Sequence, residues 1–167
     1  VSSTEKILDR AALTACVAEW RASGDRIILT NGCFDLLHVG HIRYLEGAKD
    51  LGKSRGKLIV GVNADATVRV LKGEGRPRTP ENERAEIIAA LAVVDAVTIF
   101  PEPDVSALIR AVRPDIHAKG TDYTVDTIPE RDTVLECGGQ VAIVGDPKDH
   151  SSSAMITDQS SSEVGRN

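Results

Sequence analysis

Two histidines with a glycine between them close the stretch of the chain richest in chemistry, Asn31-Gly32-Cys33-Phe34-Asp35-Leu36-Leu37-His38-Val39-Gly40-His41. The apolar run Arg26-Ile27-Ile28-Leu29-Thr30 precedes it and a helical pattern follows, so the pair lies where a strand gives way to a helix. Free N–H groups at a helix start favour an anion. Gly40 lets a phosphate come close to the backbone, and His38 and His41 can donate hydrogen bonds to phosphate oxygens as charge grows on them. This is the chemistry of phosphate-group transfer without a protein nucleophile.

Two rival chemistries use overlapping residues. Cys33, His38 and His41 are zinc-ligand types, but they have neither a convincing fourth ligand nor the usual spacing. Gly47-Ala48-Lys49-Asp50-Leu51-Gly52-Lys53-Ser54 satisfies the P-loop pattern letter for letter. A P-loop must follow a strand and open a helix, whereas here a helix is predicted over 40–51, with Gly52 as its C-cap.

The elements that must position these residues follow from the apolar pattern. Strands are predicted at 26–30, 57–63, 94–100, 115–119 and 140–144, and helices at 40–51, 65–71, 80–91, 105–112 and 129–137. That alternation predicts an α/β fold, a three-layer sandwich with a five-stranded parallel sheet, whose ligands bind beyond the carboxyl ends of the strands. A helix over 4–23, built on Leu13, Cys16, Val17 and Trp20, is expected to pack as a lid on the main domain. The division is an N-terminal helix (1–24), the main domain (25–157) and a frayed Ser-rich tail (158–167). Binding loops are expected at 72–79 and 145–153.

A chain of 167 residues has room for one domain, and its 41% hydrophobic content can form a real core. The net charge of −5 argues against a nucleic-acid binder. The longest apolar run, from Ile87 to Val94, is far too short to span a membrane, and Glu5, Lys6, Asp9 and Arg10 break up any signal-peptide core. Cys16, Cys33 and Cys137 form no disulfide framework, so a reduced, cytoplasmic protein with no membrane partner is expected.

Against that acidic balance, Arg69, Lys72, Arg76, Arg78 and Arg84 outnumber Glu74, Glu81 and Glu83 and make a local anion trap. Lys119-Gly120-Thr121-Asp122 follows the fourth strand, where Asp122 either orients a sugar hydroxyl or the ribose, or caps the next turn. Asp65, at the end of the second strand, is placed to be a helix N-cap. His150-Ser151-Ser152-Ser153 offers hydroxyls and N–H groups to further phosphates.

Gly32-x-Phe34-Asp35-x-x-His38-x-Gly40-His41 resembles the signature of the HxGH superfamily of cytidylyltransferase-like nucleotidyltransferases, which have a Rossmann-like fold. Over residues 26–156 the chain is similar to the heptose 1-phosphate adenylyltransferase family. The similarity runs through Gly61-Val62-Asn63-Ala64-Asp65, Leu71-Lys72-Gly73-Glu74-Gly75-Arg76-Pro77, Asn82-Glu83-Arg84, Val94-Asp95, Arg113-Pro114-Asp115, Lys119-Gly120-x-Asp122-Tyr123 and Gly138-Gly139-x-Val141.

The resemblance implies that ATP and D-glycero-β-D-manno-heptose 1-phosphate give the ADP-sugar and pyrophosphate, a step towards the lipopolysaccharide inner core. It implies that His38 and His41 stabilise the α-phosphate and leaving pyrophosphate, and that Lys72 bridges phosphates of both reactants. The nucleotide would lie against Asn31, Gly32, Cys33, Phe34, Gly40, Lys119, Asp122, Ser151, Ser152 and Ser153, and the acceptor against Asp35, Asn63, Asp65 and Arg84. The last motif departs from the family, with Ala154 replacing a hydroxyl residue and His150 standing where glycine is common. Mg²⁺ is expected on the ATP phosphates rather than on protein ligands. A homodimer is expected, with a separate sugar kinase upstream. The alternatives are a CTP-dependent glycerol-3-phosphate cytidylyltransferase and a non-catalytic nucleotide-binding module.

Overall fold

The computed structural model describes residues 2–146. Five short apolar runs become β1 (Arg26–Gly32), β2 (Gly56–Asn63), β3 (Ala96–Phe100), β4 (Ile116–Lys119) and β5 (Gln140–Ile143), all parallel, in the order β3-β2-β1-β4-β5. Helices α1 (Arg10–Ala22), α2 (Val39–Asp50), α3 (Asp65–Lys72), α4 (Glu81–Ala89), α5 (Ser106–Val112) and α6 (Arg131–Glu136) make the connections. A central strand covered on both faces has no polar side, which is why Ile27, Ile28 and Leu29 run consecutively and are all fully buried.

The two faces have separate cores. Ile28, Leu58, Val60 and Val62 pack with Leu45 and Ala48 of α2 and with Ala85 and Ile88 of α4. Ile27, Leu29 and Ile59 pack on the other side with Leu13 and Val17 of α1, Leu108 and Ile109 of α5 and Val134 of α6. The expected three-layer sandwich with a five-stranded parallel sheet is therefore the observed fold. Its strand order reverses direction at β1, so the crevice between the carboxyl ends of β1 and β4 is the switch point at which such sheets bind ligands.

Several local readings are corrected. The helix expected over 4–23 is interrupted: a 3₁₀ turn (Thr4–Lys6) leads into extended Ile7, and Asp9 caps α1 by accepting the Ala12 N–H at 2.8 Å. The extended piece bridges Val97, and the Leu8 N–H donates to the Val97 carbonyl at 2.8 Å, partly covering the exposed edge of β3. With Leu13 fully buried, α1 is a core layer rather than a lid. Gly52 is not a left-handed C-cap; its φ is −86°. Glycine is needed there for close packing, because a Cβ would lie 2.2 Å from the Gly56 Cα and 2.5 Å from the Ile28 Cδ1. The P-loop-like segment thus sits at the amino end of β2, away from the switch point. Its Lys53 belongs to a 3₁₀ turn (Lys53–Arg55).

Candidate active site

At the carboxyl end of β1 the chain turns through Phe34 in the left-handed region (φ +48°), an uncommon backbone state for a bulky residue. The Phe34 ring folds back onto Gly32, where a Cβ would come within 3.1 Å of it, and its centroid lies 5.3 Å from that of His41. His38, in extended conformation, is the N-cap of α2 and His41 is its third residue. The His38 backbone N–H donates to His41 Nδ1 at 3.3 Å, and the two rings sit 3.9 Å apart. Because Nδ1 is the acceptor, neutral His41 carries its proton on Nε2 and can offer it to a ligand. Burial, with His38 adding to it, pulls the His41 pKa down to about 4.

These rings border a cavity of about 650 Å³ across the switch point. It also brings together the sequence-predicted Asn31, Gly32, Cys33, Phe34, Gly40, Asn63, Lys72, Lys119 and Asp122. Lys72 ends α3 rather than opening the loop; Gly73 follows it with φ +93°, a backbone state that glycine adopts readily. Burial raises the Cys33 thiol pKa, against the lowering effect of Lys72 and Arg84. Among the described residues no group of three His, Cys, Asp or Glu side chains is placed to hold a metal ion.

Three residues expected to touch the acceptor face the protein instead. Asp35 is 4% exposed and accepts from Arg76 Nε at 2.5 Å, from the Arg78 N–H at 2.7 Å and from the Thr79 N–H at 3.1 Å. Burial alone would raise its pKa, but the Thr79, Arg76 and Arg78 hydrogen bonds hold the carboxyl below its ordinary value. Arg84 is buried, with Nη1 on the Cys33 carbonyl (2.6 Å), Nε on the Thr79 carbonyl (2.9 Å) and Nη2 on Asp65 Oδ1 (2.7 Å). Asp65 is not the N-cap of α3, a place taken by Ala64; its carboxylate goes to Arg84 and its N–H to Glu81 Oε2 at 2.6 Å. Together they brace the 73–79 loop and the turn after β1 from behind. Residues Ser151, Ser152 and Ser153 lie outside the described residues.

The cavity also has walls that the sequence did not announce. Tyr44, one turn beyond His41, bonds the Thr30 hydroxyl and donates to the Ala118 carbonyl at 2.9 Å, tying α2 to the ends of β1 and β4. Burial raises its pKa. Its i+3 spacing from His41 was a usable signal. Arg43 pairs with Asp146 at 2.7 Å, and Glu130 with Lys119 at 3.4 Å. Nothing local in the sequence marks those partners.

A doubly wound parallel sheet with a His-lined helix mouth at its switch point defines a Rossmann-like domain whose helix N-terminus can receive an anionic ligand. The comparisons agree: the chain belongs to the cytidylyltransferase-like family, whose model matches residues 29–165.

It is similar to the Bifunctional protein HldE of Methylobacillus flagellatus, 44% identical over 155 residues, covering 93% of this chain and 31% of that protein. It is also similar to the Bifunctional protein HldE of Koribacter versatilis, 49% identical over 139 residues, covering 83% of this chain and 28% of that protein. The chain thus spans less than a third of the length of these relatives. Among solved structures it is similar to the lipopolysaccharide core biosynthesis protein from Thermoplasma volcanium. That match has a TM-score of 0.60 and 34% identity, covering 71% of this chain and 93% of that chain.

Proposed function

We propose that this chain is an adenylyltransferase that moves AMP from ATP to a sugar 1-phosphate, D-glycero-β-D-manno-heptose 1-phosphate, giving ADP-heptose and pyrophosphate for lipopolysaccharide core synthesis. The observation that carries the reading is the His38–His41 pair at the α2 mouth lining the same cavity as Lys72. The relatives named HldE and the lipopolysaccharide core biosynthesis protein support the sugar class.

In this reading a phosphate oxygen of the sugar 1-phosphate attacks the α-phosphorus of ATP. One O–P bond forms while the bond to the β-phosphate oxygen breaks. The attacking phosphate is already ionised, so no general base is needed, and the protein's work is to position the reactants and neutralise charge. His41 offers Nε2–H, and the first N–H groups of α2, with Gly40 leaving space beside them, face the departing oxygens. Lys72 bridges the reactants' phosphates. The nucleotide lies against residues 31–34 and the turn after β4 up to Asp122, and Asn63 faces the acceptor. Mg²⁺ carried on the triphosphate would be held through the phosphates and would neutralise part of their charge.

The reaction needs cytoplasmic ATP and a kinase upstream to supply the sugar 1-phosphate. The functional form in this reading is a homodimer. Among the described residues no helix is long and apolar enough to cross a membrane.

The test is pyrophosphate release with Mg²⁺, pairing ATP and CTP each with heptose 1-phosphate and glycerol 3-phosphate. Turnover confined to ATP with the heptose is the expected result. Turnover with CTP and glycerol phosphate would replace the substrates while keeping the histidine roles. Silence in all four pairs, with ATP still bound, would mean a binding module.

A further inference from the structure

Lys119 ends β4 with its side chain only 8% exposed, on the sheet face that carries α5 and α6. It lies beside the cavity, yet its ammonium is already engaged by the protein. Nζ donates to Asn31 Oδ1 at 3.2 Å, lies 3.5 Å from Glu130 Oε1 and 3.4 Å from Oε2, and sits 5.2 Å from the centre of the Tyr123 ring. Glu130 is also buried, its side chain 10% exposed, so the pair is a nearly neutral unit. Such a unit gives an incoming phosphate little net charge to meet.

It does fix a neighbour. An ammonium can only donate, so the Asn31 atom that meets it must be the carbonyl oxygen, and the amide NH₂ must point the other way. Asn31 stands two residues beyond Leu29 and Lys119 two beyond His117, and Leu29 and His117 are register partners. The two side chains therefore leave the same face at the mouth of the crevice, and Asn31 lines the cavity.

We propose that Lys119 and Glu130 form a positioning pair that locks the Asn31 amide with Nδ2 toward the cavity, making Asn31 a neutral donor to an oxygen of the bound phosphorylated substrate. This rests on the nucleotidyl-transfer reading of the same cavity. It changes the expected role of Lys119 from a direct nucleotide ligand to a residue acting through Asn31. Glu130 becomes part of the site by holding Lys119 in place.

The experiment compares Asn31→Ala, the pair variant Lys119→Met with Glu130→Leu, and the triple variant. Each is characterised by kcat, by KM for ATP and for the sugar phosphate, by calorimetric Kd for each ligand, and by melting temperature. Replacing a buried ion pair by apolar groups of similar size is often neutral for stability, so the pair variant should melt within a few degrees of wild type. Asn31→Ala should raise KM for one substrate about tenfold with kcat changed less, and the pair variant should do the same for that substrate. The triple variant should be no worse than Asn31→Ala, because the pair acts only through that amide.

The substrate whose KM moves identifies the source of the oxygen, nucleotide or sugar phosphate. Losses that multiply in the triple variant would show Lys119 touching the ligand itself and overturn the proposal, as would Asn31→Ala leaving both KM values within twofold. Glu130→Gln, which keeps the side chain's size, is the second variant should the pair variant melt early, and it must show the same non-additivity with Asn31→Ala. A wild-type chain that binds ATP without releasing pyrophosphate from any acceptor would defeat the transfer reading alone. The Kd series would still decide the lock.

Discussion

The backbone N–H of His38 points at Nδ1 of His41 from 3.3 Å, so the residue that caps α2 also sets which ring nitrogen of its partner carries the proton. With the His41 pKa near 4, the ring is neutral around pH 7 and its Nε2–H is an uncharged donor.

His41→Ala should therefore lower kcat by about 100- to 1,000-fold, the usual cost of losing one donor to a developing oxyanion. Melting should stay close to that of wild type. Pyrophosphate release by the wild-type protein should show no acidic limb near pH 6.5 attributable to His41, since a depressed pKa keeps it neutral down to about pH 4. A limb at 6.5 that vanishes in His41→Ala would contradict the depressed pKa of the buried ring.

Asp35 is the anchor of the 73–79 loop, accepting from Arg76, Arg78 and Thr79. Asp35→Asn should cost about 1.5–3 kcal/mol, the range for a hydrogen bond to a charged group. It should also lower kcat/KM by freeing the loop beside Lys72. Urea unfolding alongside steady-state kinetics checks both. A variant with reduced stability and undisturbed kcat/KM would confine Asp35 to folding.

His117, fully buried on β4, has no hydrogen-bond partner for either ring nitrogen among the described residues, and burial, helped by Lys119, lowers its pKa to about 3. A depressed histidine stays neutral in the folded state while the unfolded chain takes up a proton below about pH 6.5. Stability is therefore lost as pH falls from 6.5 toward 3, at about 1.4 kcal/mol per pH unit for this one group. His117→Leu should remove that share of the slope, a difference of about 2 kcal/mol between pH 7.5 and pH 5, and should not destabilise the protein at pH 7.5. Parallel acid slopes in the two proteins would count against the assignment.

Lys53 and Ser54 complete a P-loop pattern in letters only, because the segment lies at the amino end of β2. Lys53→Met should leave ATP binding and turnover within twofold. Gly52→Ala should instead impair folding, because its Cβ has no room against Gly56 and Ile28. Expression and thermal melting, set beside ATP calorimetry, separate the two outcomes.

The sequence by itself determined the layers and the histidine mouth of α2. Runs such as Ile27-Ile28-Leu29 are apolar on both faces because central parallel strands have no wet side, and the His38–His41 spacing is local to one helix turn. Tertiary structure alone decided which polar residues face the cavity. Asp35 meets Arg76 across 41 residues, and Asn31 meets Lys119 across 88. Those meetings follow from strand order, which seats β1 between β2 and β4 and brings far parts of the chain to one sheet edge. Periodicity along a chain fixes which face a side chain takes, but the partner across that face comes from another segment. Charge balance then decides the rest: a buried Arg84 or Lys119 must have its donors satisfied, and here protein acceptors satisfy them.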